Sequence, residues 1–382
     1  MSRKSEKYLN KIKEKYQVKN IYSWSRYNLY KTDSYSYLLK YILNKKETRQ
    51  NIYGVSGGYC HSIIEDLYNG KIKYEDMIAK YEEKLFEMNL SGLKYNRSDE
   101  EFNTRIAKKY EDNIRLFFKQ HNQITYKSKL EQFVIIEVGK YIFQGYIDFI
   151  YKDENGIYNI VDWKTSTIYT GKKIEKERGQ LVLYAESLIQ KGVPIDKIKI
   201  KWNFLKYCTV TQTLLSIDKE TKQHKSKNKN CLRTEWVKGI EPTLRKWLKK
   251  MSFDELEVED MIITSIENNN LDSMPDNVKN KFKLSDCYVD IPLSQEVIDD
   301  LKQDIIFTLD EINKKTEEYK ETKDDNLFWT EIDKSNEFYF SNLMGYSKNE
   351  HMPYKEYLDD LNMFKKEIEI KEDDSMDWLN NL

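Results

Sequence analysis

The middle of the chain sets the strongest limit on its fold. Leu130 to Val138 and Tyr141 to Tyr151 are rich in β-branched and aromatic residues, and Tyr158 to Trp163 is a short apolar run that ends on a charged residue. Asn155-Gly156, between Ile150 and Ile157, suits the tight turn of a hairpin. Three successive strands therefore make a meander. Helical periodicity flanks it on both sides. Residues 2–17 read as a polar helix, and Tyr22 to Leu43 as an aromatic-rich helix begun near Ser23 or Ser25. Gly54 to Gly58 reads as a loop leading into a helix with Cys60, Ile63, Ile64 and Leu67 on its apolar side. Residues 75–90 and 98–120 read as further amphipathic helices. After the meander come a helix over 175–190, a strand from Lys197 to Tyr207 and one long helix from Leu293 to Glu321. The expected fold class is α/β, a central mixed β-sheet flanked by helices, with helical additions at both ends.

At 382 residues the chain is longer than most single-core domains. Residues 1–215 are expected to hold the N-terminal helices and the core, and 216–290 an insertion without clear strand periodicity. Residues 291–355 read as a helical region packing back on the core, and 356–382 as an acidic tail. The formal charge of −1 excludes little, because the charges are unevenly placed. Lys-rich stretches such as Lys4 to Lys15 and the basic run Lys219 to Arg233 precede an acidic end, an asymmetry that suits a nucleic-acid-facing region with a tail for partners. No stretch approaches the ~20 apolar residues of a membrane span. The first residues lack the apolar core of a signal peptide. Cys60, Cys208, Cys231 and Cys287 form no Cys-x-x-Cys pair, which argues against a locally built zinc or iron–sulfur site and against a secreted disulfide framework. A cytoplasmic protein is expected. Heavy use of Lys, Asn, Ile and Tyr fits an AT-rich genome, such as that of a bacterium or its virus.

The chemistry is concentrated in Gln144-Gly-Tyr-Ile-Asp148 and Ile160-Val-Asp162-Trp-Lys164. A meander places Asp148 and Asp162 near the same end of adjacent strands. Asp162 and Lys164, two apart, project from one sheet face. Two converging carboxylates form a hard oxygen site suited to Mg²⁺ or Mn²⁺ rather than zinc, with the Trp163 carbonyl as a third candidate ligand. Lys164 beside such a site can orient a water and stabilise charge on a phosphate.

The spaced set Glu131, Gly145-Tyr-Ile-Asp148, Ile160-Val-Asp162-Trp-Lys164-Thr and Gln180-Leu-Val-Leu-Tyr184 resembles the PD-(D/E)XK nuclease superfamily. It is similar, within it, to the branch containing the RecB nuclease domain and the CRISPR adaptation nucleases. That resemblance implies a restriction-endonuclease-like core, metal-dependent hydrolysis of DNA, Asp148 and Asp162 as metal ligands and Lys164 as the catalytic lysine. Gln180 and Tyr184 match the branch's Gln-x-x-x-Tyr motif, one helical turn apart, and are expected at the substrate or the lysine. Gly57-Gly-Tyr-Cys-His61 matches a histidine at the start of an upstream helix, making His61 a candidate ligand. Thr165, Tyr169 and Lys172 follow the Asp162-Trp-Lys164 motif closely and are candidate substrate contacts. Many relatives carry an iron–sulfur cluster held by terminal cysteines. Here the segments that resemble those ends, Ser23 to Tyr37 and Phe340 to Tyr354, contain none, so no cluster is expected. The branch implies an exonuclease in replication, recombination or end processing, with a structure-specific endonuclease or a non-catalytic DNA-binding scaffold as the alternatives. A replication or recombination protein docking on the acidic tail is the expected partner besides DNA.

Overall fold

The structure is a computed structural model that describes residues 4–363. In chain order it contains α1 (Glu6–Tyr16), β1 (Ile21–Ser23), α2 (Trp24–Thr32), α3 (Ser34–Tyr37), α4 (Ile52–Tyr68), α5 (Met77–Leu90) and α6 (Glu100–Gln120). The meander follows as β2 (Ser128–Val138), β3 (Tyr141–Lys152) and β4 (Tyr158–Lys164), then α7 (Lys172–Glu177), α8 (Gly179–Ile189) and β5 (Ile198–Ile217). The rest comprises β6 (His224–Leu232), α9 (Trp236–Lys250), α10 (Glu255–Asn268), α11 (Asp276–Lys279), β7 (Phe282–Ile291) and α12 (Gln295–Thr322).

The fold is α/β, with one mixed seven-stranded sheet between helical layers. β3 pairs antiparallel with β2 on one side, and with β1 (parallel) and β4 (antiparallel) on the other. β4 lies parallel to β5, and β5 carries β6 and β7 as antiparallel neighbours. Ile147, Ile160 and Ile200 face a core shared with α8 and α12. Val161, Trp163 and Leu205 face a second core with α4, α5 and α6. A third core joins α9, α10 and α11 to β5, β6 and β7. Each fully buried Ile or Leu in these layers contributes about 1.5–3 kcal/mol.

Four expectations change. The Tyr22 to Leu43 helix is interrupted at Asp33, whose backbone leaves the helical region and whose carboxylate caps α3 by accepting from the Ser36 N–H. Gly54 to Gly58 is not a loop, because Asn51 caps Gly54 and α4 runs through all three glycines, leaving His61 in mid-helix. The helix expected over 175–190 divides into α7 and α8 next to Gly179, where a Cβ would lie 2.1 Å from the Trp24 ring. Residues 216–290 supply β6, β7 and three helices, and both strands belong to the central sheet. β6 shows no alternation in sequence because nearly all of it is exposed and polar. Its Asn230 and Asn228 instead accept from Thr209 and Thr211 across the pair. The expected tail lies, from residue 364 onward, outside the described residues.

Candidate active site

The β3–β4 ladder ends at Phe149 and Val161, one residue short of Asp148 and Asp162. Where it ends, the Trp163 N–H donates to Asp148 Oδ2 at 3.2 Å, so a side chain takes over a bond the partner strand would have made. β2 contributes as well. Glu131 lies between the pairs Leu130–Phe149 and Gln132–Ile147, which puts it across from Asp148. Its φ of 45°, in the left-handed region, interrupts the regular alternation of β2. On either side of this point the strands present opposite faces. Val134, Ile136 and Ile147 pack in the α8 core, and Leu130 and Phe149 in the α4–α6 core. The Glu131–Asp148 pair therefore sits at the seam of the two layers.

α4 brings His61 to the same seam. Its Nε2 lies 2.9 Å from the Trp163 carbonyl. A carbonyl only accepts, so a neutral His61 carries its proton on Nε2 and turns the Nδ1 lone pair toward Asp148 Oδ2, 3.6 Å away. His61, Glu131 and Asp148 each offer one ligand atom, all within 4.8 Å of one another. An imidazole lone pair and two carboxylates facing one another fit a divalent cation. Asp162 is not in that cluster. Its Oδ2 is held by Lys164 Nζ at 2.7 Å, with Asp162 nearly buried and Lys164 about a quarter exposed. The Trp163 carbonyl, a candidate ligand, already accepts from His61.

Burial pushes the Asp148 carboxyl up to about 7; His61 opposes this and Asp162 adds to it. Burial alone would lower the Lys164 ammonium, but Asp162 and then Asp148 outweigh it and hold it above the usual lysine range. A measurable pH dependence follows. Unfolded, Asp148 ionises near 3.8; folded, it keeps its proton to about 7. The stability it contributes is complete below about pH 4 and is lost as pH rises through about 7. The metal-free protein is expected to melt at lower temperature at pH 8 than at pH 6, and Mn²⁺ to raise the melting temperature more at pH 8. A Mn²⁺-induced rise in melting temperature that is equal at the two pH values would rule this out.

The other candidates divide. Gln180 Nε2 donates to the Tyr184 hydroxyl at 3.0 Å on α8. The Tyr184 ring lies so close to β3 that a Cβ on Gly145 would fall 2.4 Å from it, so the close approach requires glycine. Gln180, Tyr184, Gly145, Glu131, Trp24 and Tyr146 line a cleft of about 480 Å³ adjoining the carboxylates. The structure does not bring Thr165 to this face. As the strand's alternation dictates, it points with Trp163 toward α4, where its Oγ1 is 3.6 Å from a Cβ built on Gly57. The Tyr169 ring is buried edge-on against Trp202 and Phe204, and its hydroxyl accepts from Ser166. Lys172 is exposed at the start of α7. Glu131 is the site residue to which the sequence assigned no role, although it stood in the motif set.

Asp148 in β3, Asp162 and Lys164 at the end of β4 and His61 from α4 are thus gathered at one point of the sheet, with the Gln180–Tyr184 pair of α8 alongside. The chain belongs to the PD-(D/E)XK nuclease superfamily, which it matches over residues 22–319. Nucleases of this superfamily depend on divalent metals. No curated relative matches the sequence. Among the described residues, no helix is long and apolar enough to cross a membrane.

Proposed function

We propose that the protein is a deoxyribonuclease that hydrolyses phosphodiester bonds with Mg²⁺ or Mn²⁺, acting as an exonuclease in replication, recombination or end processing. The observation that carries this reading is the convergence of His61, Glu131 and Asp148 beside the Asp162–Lys164 pair. His61, Asp148, Asp162 and Glu131 would hold the cation, with the Trp163 carbonyl orienting His61. The cation, when bound, supplies Lewis-acid polarisation of the phosphate and a more acidic water.

This chain's own residues do the rest. Once Asp162 turns to the cation, Lys164 keeps its charge and is free to donate to the attacking water or to a phosphate oxygen. Gln180 fixes the Tyr184 hydroxyl at the rim of the cleft, where both can contact the strand being cut. Preference for ends rests on the Gln180–Tyr184 pair, which is shared with the RecB-like branch. We also read the protein as free of an iron–sulfur cluster. In support, the segments that resemble the cluster-bearing ends contain no cysteine, and Cys60 packs in the α4–α6 core, away from the cross-strand partners Cys208 and Cys231. The two terminal segments are instead clasped by Asp33, which accepts from His351 Nε2 at 2.9 Å and from Thr330 at 3.1 Å.

The test is incubation with 5′- and 3′-labelled single- and double-stranded DNA in Mg²⁺, Mn²⁺ or EDTA. Mononucleotide release in metal and none in EDTA is expected. Activity undiminished by EDTA would refute metal dependence, and internal cuts on circular DNA would favour the structure-specific endonuclease.

A further inference from the structure

The basic run in mid-chain takes no part in the site described above, and its place in the fold points to a use. Between Lys222 and Lys250 ten basic residues stand against two acidic ones, Glu235 and Glu241, in a chain of net charge −1. β6 is the edge of the sheet, and its lysines alternate at 225, 227 and 229, so all three project from one side. That side meets α9, since Lys229 donates to the Gly239 carbonyl and Cys231, two residues further on, packs in the α9 core beside Gly239. Lys238 and Lys246 are exposed on α9. Among the described residues, Lys227, Lys238 and Lys246 have no carboxylate within ion-pair reach. An edge strand bearing lysines can simply be protected against pairing with another chain. That role does not call for more lysines on the adjoining helix.

β5 ties this surface to the active site. Lys164 is level with Phe204 on β5, and the strand then runs on past the end of β4 to Ile217. Lys229 pairs with Val210 and Lys227 with Gln212, six and eight residues beyond Phe204. At ~3.3 Å per residue this is about 20–26 Å along the strand. Duplex DNA covers that distance in roughly six to eight base pairs.

We propose that the β5–β6 arm and α9 form a second DNA contact, holding phosphates of the duplex about six to eight base pairs from the scissile bond. The proposal takes its substrate from the nuclease reading, but it concerns binding and can be measured without cleavage. The lysines lie well beyond the ~10 Å screening length at 0.1 M salt, so they act only on DNA long enough to reach them.

The test changes Lys225, Lys227, Lys238 and Lys246 together to Gln. Binding is followed by fluorescence anisotropy in EDTA, on a 30-base-pair duplex and on a hairpin with a five-base-pair stem. The duplex Kd should weaken about 10–100-fold, and the slope of log Kd against log salt should fall by about 2–4. Hairpin binding should change less than twofold. Lys227→Gln with Lys246→Gln should give about half the change in slope, and serves if the fourfold variant does not fold. Unchanged duplex affinity and slope, or equal weakening on both DNAs, would overturn the proposal. Cleavage in Mn²⁺ by the unaltered protein reports separately on the nuclease reading. If it cuts DNA and the arm has no effect, only the arm is wrong; if the arm binds and nothing is cut, only the catalytic reading is wrong.

Discussion

Lys164→Ala is expected to slow DNA cleavage by ~10²–10³-fold, the loss typical of removing one electrostatic catalytic group. DNA affinity should fall far less, because one ammonium among many phosphate contacts supplies only part of the binding. The geometry explains the asymmetry. Lys164 is paired with Asp162, so it adds little net positive charge for DNA to find. Were Asp162 to join His61, Glu131 and Asp148 in holding a cation, the Lys164 ammonium would be released to donate to the water or a phosphate oxygen. The check is paired: single-turnover cleavage and Kd for both proteins at one fixed salt concentration. Equal, modest losses in both would make Lys164 a phosphate contact, and unchanged cleavage would refute its catalytic role.

Asp162→Ala should go further and abolish detectable cleavage while leaving the fold intact. β4 keeps its pairing with β5 through Lys164, and its buried Ile160, Val161 and Trp163 hold it between the two cores. The substitution removes a candidate ligand and frees the partly exposed Lys164 ammonium. Metal-free Asp162→Ala is therefore expected to bind DNA more tightly than the parent and Mn²⁺ more weakly. Calorimetry with Mn²⁺ and anisotropy in EDTA measure the two effects. Parental Mn²⁺ affinity in the variant would remove Asp162 from the ligand set and leave His61, Glu131 and Asp148 to hold the ion. A scaffold that had only kept the fold would show no metal-dependent cleavage to lose.

Much of this site was legible because its centre is local. Asp148, Asp162 and Lys164 lie on two strands of one hairpin, and the period of two that governs any strand places Asp162 and Lys164 on one face. Gln180 and Tyr184 are one helical turn apart and meet for the same kind of reason. Tyr169 shows where proximity in sequence misleads. It follows the motif by only a few residues, yet its ring is taken up by the core against Trp202 and Phe204. Thr165 adjoins Lys164 and faces the opposite layer. β6 escaped notice because an exposed edge strand has no apolar alternation to read; its pairing rests on hydrogen bonds to β5.

The sequence by itself determined the central meander, the strand that follows it, most of the helices around them, and the carboxylate–lysine motif with its Gln–Tyr companion. These follow from short-range rules of period, turn and cap, which act between residues a few positions apart. Only the tertiary structure decided that Glu131 stands opposite Asp148 on a left-handed residue of β2, and that His61 reaches the same seam from the middle of α4. It alone joined Asp33 to His351 across 318 residues of sequence, and laid a lysine-bearing edge along the continuation of β5. Such pairings are chosen by the packing of whole layers against one another. Their free energy depends on which surfaces meet, and no local pattern records that.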